Sequence, residues 1–159
     1  MMKHLFYYET SLGGIGIAEE GGCITNLYFP SDEVPTGVYD ISETALLKEA
    51  HHQLLDYLAG RRHSFTLPLR PGGTPFQQSV WQCLTQIPYG KTVSYSEIAA
   101  SAGSSKACRA VGLANNRNPI PILIPCHRVI GKNGKLTGYR GGLELKEELL
   151  KLEQYDGDL

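Results

Sequence analysis

Residues 120–131 read IPILIPCHRVIG, and within them Cys126 and His127 stand side by side behind Pro125. A buried structural thiol has no need of a neighbouring imidazole, but a reactive one does. The thiolate is the nucleophile, and an ordinary cysteine is only slightly ionised at neutral pH. A histidine can take the proton, and a carboxylate behind the histidine can orient it and stabilise its charged form. Adjacent side chains on an extended chain point opposite ways, so cooperation between Cys126 and His127 requires a bend or a bridging water. Pro125 and Gly131 make a bent backbone reasonable. The carboxylate candidate is Glu153 in the final segment LELKEELLKLEQ. It falls four residues after Leu149 and shares a face with the leucine stripe Leu145, Leu149 and Leu152, where an unpartnered carboxylate is costly. On this chemistry alone a hydrolase, a transferase and a chance juxtaposition all stay open, as does a Glu153 that simply reaches water.

The elements that must position these groups follow from pattern. Residues 3–29 alternate apolar and polar with glycine pairs at 13–14 and 21–22, which predicts a strand meander. Residues 42–59 carry leucines and alanines at helical spacing and stop at Gly60. SFTLPLR (64–70) reads as one more strand, and PGGTP (71–75) as a lobe boundary. Thr74, Pro75 and Gln77 supply an N-cap, an N1 proline and a capping-box partner for a helix with a stripe of Phe76, Val80, Cys83, Leu84 and Ile87. Ser94 and Glu97 open a short second helix through Ala102. Gly103 turns the chain, and a further helix spans 106–115. The two short helices form a helix-turn-helix candidate. In the second of them Ala107, Ala110, Val111 and Ala114 share the inward face. Arg109 projects on the other side beside Gly112, leaving a smooth surface with one long cation.

Composition narrows the classes. The chain has 159 residues and a net charge of −1, yet residues 1–70 hold five Lys/Arg against nine Asp/Glu, and residues 91–146 hold nine against two. A basic block in an otherwise acidic chain points to an anionic partner, nucleic acid first, against the plainer alternative of a solvated basic face. No run approaches a membrane span. The start MMKHLFYYET lacks an apolar core and cleavage site, so a cytoplasmic location is expected. Cys23, Cys83, Cys108 and Cys126 show no metal-ligand spacing, so no metal is expected and the thiols should be free.

Three stretches carry a resemblance: TPFQQSVWQCLTQIPYGKTVSYSEIAA, RAVGLANNRNPIPILIPCHRVIG and LTGYRGGLELKEELLKLE, in that order, over about residues 74–155. They resemble the C-terminal domain of the O6-alkylguanine-DNA alkyltransferases, whose signature PCHRVIG matches. The resemblance implies an α/β (α+β) chain. A small strand-rich lobe with one helix, ribonuclease H-like in the family, would span residues 1–70. A mostly helical, winged-helix-like domain with the helix-turn-helix would span 74–159.

It also implies roles. Cys126 would accept the alkyl group from guanine O6 in an irreversible single turnover, with O4-alkylthymine a second candidate substrate. His127 would take the thiol proton through a water, with Glu153 behind it. Asn118 would tie the helix-turn-helix to the active-site strand, and Tyr95 would contact the flipped nucleotide. Arg109 would fill the vacated stack, with Lys106, Ala107, Gly112 and Arg128 also at the DNA. Pro121, Val129, Tyr139, Arg140 and Gly141 would form the base pocket. The partner would be double-stranded DNA containing O6-alkylguanine, bound in the minor groove by a monomer, nucleoid-associated when on DNA, without cofactor. Arg140 stands where some members carry serine. Two rivals remain: a non-catalytic alkylguanine-binding module that recruits repair factors, and a cysteine hydrolase.

Overall fold

The structure is a computed structural model that describes residues 2–104, 106–134 and 136–153. The chain divides into two compact units, Met1–Gly72 and Gly73–Leu159.

In the first unit, the glycine-punctuated meander forms strands β1 (Lys3–Thr10), β2 (Gly13–Glu20) and β3 (Cys23–Tyr28), paired antiparallel in sequence. A two-residue strand β4 (Asp40–Ile41), not expected from the sequence, pairs parallel to β1, so the sheet order is β3-β2-β1-β4. Helix α1 (Ala45–Leu58) is capped by the Thr44 hydroxyl, which accepts from the Leu47 amide, and it ends at Gly60 with φ 78°. Leu47, Ala50, Gln53, Leu54 and Tyr57 are its buried side, and Leu5, Ile15, Ile17, Ala18, Ile24 and Leu27 are among the buried residues of the sheet. SFTLPLR does not form the expected strand. It makes one isolated bridge, Leu69 to Ile24, with Pro68 and Arg70 bonding the Ile24 backbone on either side. Pro68 has no N–H to contribute to a ladder, which limits the pairing.

In the second unit, α2 (Pro75–Leu84) and α3 (Tyr95–Ser101) both begin with complete capping boxes, Thr74 with Gln77 and Ser94 with Glu97. Helix α4 (Cys108–Asn116) follows the turn at Gly103, where φ is 82°. The Trp81 indole donates to the Ala114 carbonyl at 2.9 Å and ties α2 to α4. A short parallel pair joins β5 (Val93–Ser94) to β6 (Val129–Ile130). Helix α5 (Leu143–Leu152) closes the unit, and Gln154, assigned to it from sequence, lies outside the described residues.

Two helical faces differ from expectation. In α4 the buried residues are Val111, Ala114 and Asn115, while Ala110 is exposed. In α5 they are Lys146, Leu149 and Leu150, with Leu145 and Leu152 only half-buried. Both helices are rotated toward a buried polar residue, because that residue has hydrogen-bonding work inside the unit.

Candidate active site

Residues 120–125 do not run as a strand. Ile122 has φ 74°, a left-handed conformation rare for a β-branched residue and strained unless its surroundings impose it. Asn118 imposes it. Its Nδ2 donates to the Ile124 carbonyl at 2.8 Å, its Oδ1 accepts from the Ile120 amide at 3.0 Å, and Ile124 N donates to Ile120 O at 2.9 Å. Asn118 follows the end of α4, so one side chain fixes the loop shape against the helix-turn-helix. The chain then enters a 3-10 turn, Cys126–Arg128, before β6. This turn is the bend that adjacency of Cys126 and His127 requires.

Cys126 is 4% exposed and His127 fully buried. Burial pushes the Cys126 thiol up; the Asn118 amide and the cations of Arg140 and Lys146 pull it back. Burial also pushes the His127 imidazole down, against the opposing pull of Glu153. His127 is therefore neutral at pH 7 and able to take a proton. Glu153, at the C-terminal end of α5, lies 2.7 Å from His127 Nε2. A carboxylate accepts, so Nε2 carries the hydrogen and Nδ1 is left as the basic nitrogen.

Arg128 is not at a DNA-facing surface. It is 7% exposed, and its Nε and Nη2 clamp Glu153 at 2.8 and 3.0 Å while Nη1 donates to the Ile87 carbonyl at 2.7 Å. A buried guanidinium needs such pairing, and the carboxylate behind the histidine supplies it. Gly90 adds its amide to Glu153 Oε1 at 3.3 Å; a side chain there would press on the Glu153 carbonyl.

The sequence reading missed Lys146, Asn115 and Thr137. Lys146 is fully buried, its Nζ donates to the Thr137 carbonyl at 2.7 Å, and burial lowers its pKa to about 8. The Thr137 hydroxyl is 2.7 Å from the Tyr95 hydroxyl. Thr137 thus links a buried cation to the tyrosine. Burial raises the Tyr95 pKa above its ordinary value, so the phenol stays protonated at neutral pH. Asn115 Nδ2 donates to the Cys126 carbonyl at 3.2 Å. Helical periodicity placed Lys146 and Asn115 one position off the inward stripes, so nothing local marked them.

Of the other expected residues, Pro121 and Val129 are buried, Tyr139 is 8% exposed, and Gly141 is half-buried. Arg140 Nη1 donates to the Asn118 carbonyl at 2.9 Å. Lys106 and Arg109 are exposed, Ala107 caps α4 and Gly112 is half-buried. A cleft of about 510 Å³ brings together Tyr95, Thr137 and Gly138 with the α4 residues Cys108, Arg109, Gly112, Leu113 and Asn116. The face of α4 is less smooth than expected, since Leu113 also projects and is 52% exposed.

A buried cysteine at a sharp bend, followed directly by a buried histidine–carboxylate pair, thus stands in the same unit as the two short helices α3 and α4. Comparison with known proteins makes the class specific. Residues 75–155 match the DNA-binding domain of 6-O-methylguanine DNA methyltransferase, and residues 4–71 match its ribonuclease-like domain. The chain belongs to this family. It is 51% identical to the constitutive methylated-DNA–protein-cysteine methyltransferase of Bacillus subtilis, covering 96% of both chains. It is also 51% identical to the Methanosarcina acetivorans methylated-DNA–protein-cysteine methyltransferase, over 92% of this chain and 95% of the relative. The crystal structure of Mycobacterium tuberculosis OGT in complex with DNA superposes with a TM-score of 0.88 at 45% identity, covering 95% of this chain and 92% of that one.

Proposed function

We propose that the protein repairs DNA by transferring the alkyl group of O6-alkylguanine to Cys126, once per molecule. The observation that carries this reading is the His127–Glu153 contact of 2.7 Å immediately after a buried thiol. It is supported by 51% identity to named methylated-DNA–protein-cysteine methyltransferases.

The chemistry follows from the groups present. The Cys126 proton passes through a water to His127 Nδ1, and the imidazolium is held by Glu153, itself held by Arg128. The cations of Lys146 and Arg140 favour the thiolate. Sγ attacks the alkyl carbon in line. The S–C bond forms, the C–O6 bond breaks, and its electron pair stays on the guanine. Tyr95, protonated and anchored by Thr137, donates a hydrogen bond to the departing base. The product is a thioether with no leaving route, so the protein is consumed.

Guanine O6 is out of reach within a stacked duplex, so the base must be flipped out. Helix α4 is suited to approach the minor groove, with Arg109 filling the vacancy. At Gly112 an added methyl would meet the Tyr95 ring only at 3.9 Å, ordinary contact, so inward packing does not demand glycine. A slim outward surface gives it a reason. The degenerate minor-groove code suits a protein that must act at any sequence. Pro121, Val129, Tyr139, Arg140 and Gly141 surround the base. O4-alkylthymine, with an equivalent exocyclic ether, is a second substrate, and the setting is the cytoplasm. The 74–159 domain carries the chemistry and DNA binding, and the 1–70 lobe is structural.

The test is a burst titration. Excess duplex containing O6-methylguanine is mixed with limiting protein and repaired sites are counted. One site per chain with no later turnover is expected. Many sites per chain would contradict the thioether end point, and tight binding without repair would favour the recruiting module.

A further inference from the structure

The outward stripe of α4 carries two projections. Arg109, Gly112, Leu113 and Asn116 follow the i, i+3, i+4, i+7 spacing of one helical face, and all four line the cleft shared with Tyr95. Single exposed leucines are ordinary on protein surfaces. This one is placed differently. Toward Arg109 its neighbours on the face are small, Gly112 and the exposed Ala110, and Asn116 follows on the other side, so a surface that comes close to this part of α4 meets Leu113 together with Arg109. The two side chains lie one turn apart, about 6 Å along the helix axis. The minor groove is only about 6 Å wide, so a leucine on the docking face either enters it or holds the helix away.

We propose, building on the alkyltransferase reading above, that Leu113 enters the minor groove beside Arg109 as a second, apolar probe. It seats against a base step next to the vacated position and bends the duplex there. Minor-groove proteins use leucine in this way, partly unstacking a step to open the groove. The cation compensates the missing base, and the leucine keeps the groove wide enough for Gly112 to approach.

The test compares the parent with Leu113→Ala and Leu113→Met. Methyl transfer is timed from a duplex carrying O6-methylguanine and from free O6-methylguanine base. Bending is read by energy transfer between dyes at the duplex ends. For Leu113→Ala the ratio of duplex to free-base transfer should fall roughly tenfold, the bend should decrease, and the salt dependence of binding should keep its slope, because no phosphate contact is lost. Leu113→Met should restore most of both. A Leu113→Ala variant with the parent's ratio and bend overturns the proposal. So does one whose two transfer rates fall together, which would give Leu113 a role in the fold. A parent that bends the duplex yet transfers nothing would sink the transferase reading, and the bend comparison would still decide this one.

Discussion

Lys146 is a buried cation of the second unit that bears on the reactivity of the thiol. It is buried without a carboxylate partner among its described contacts, and its charge acts on Cys126. Lys146→Met should therefore slow methyl transfer at pH 7 by roughly threefold to tenfold and move the pH–rate profile to higher pH, as stopped-flow quenching at several pH values would show. Stability should move with pH in a defined direction. In the fold Lys146 loses its proton near pH 8, and in the unfolded chain near its ordinary 10.5. Between those values the unfolded chain holds more protons. The parent should thus gain stability relative to Lys146→Met as pH rises from 8 to 10.5, measured by urea denaturation. The His127–Glu153 contact was one of two alternatives that the leucine stripe left open for Glu153. Lys146 was not legible, because a lysine in an amphipathic helix reads as solvent-facing until the neighbouring loop is known.

At the scale of elements, α5 and the Cys126–Arg128 turn are joined through one carboxylate. Glu153 receives His127, both arms of Arg128 and the Gly90 amide. Glu153→Gln leaves a guanidinium buried without its counter-charge. It should destabilise the second unit by about 3–5 kcal/mol, read from the midpoint of chemical denaturation, besides slowing transfer. Asn118→Ala removes two bonds inside a buried loop and the support for the left-handed Ile122. It should cost about 2–4 kcal/mol by the same measurement. The capping boxes at Thr74 and Ser94 were readable because their chemistry is local. The shape of the loop at 120–125 was not legible, because an apolar run does not reveal that Asn118 bends it. Arg128, which the resemblance implied to lie at the DNA, is committed instead to a carboxylate 25 residues on, a partner that its place in a basic segment does not show.

At the scale of the molecule, charge is divided by sequence region. The acidic first 70 residues contrast with the nine Lys/Arg and two Asp/Glu of residues 91–146. Binding to duplex DNA should weaken with salt on a log–log line, and Lys106→Ala should reduce that slope by about one, while Arg128, committed to Glu153, contributes nothing to it. The two units meet between Gly72 and Gly73, inside PGGTP, and the meander and helix read from residues 3–59 form β1 to β3 and α1. The short β4 was not legible, since two residues carry no periodicity.

The central claim is that Cys126 receives the alkyl group. The direct measurement is to incubate the protein with duplex DNA containing O6-methylguanine, digest it with trypsin and weigh the peptides. The peptide bearing Cys126 should gain one methyl group, while those bearing Cys23, Cys83 and Cys108 stay unchanged. Demethylated DNA with an unmodified Cys126 peptide would contradict the account.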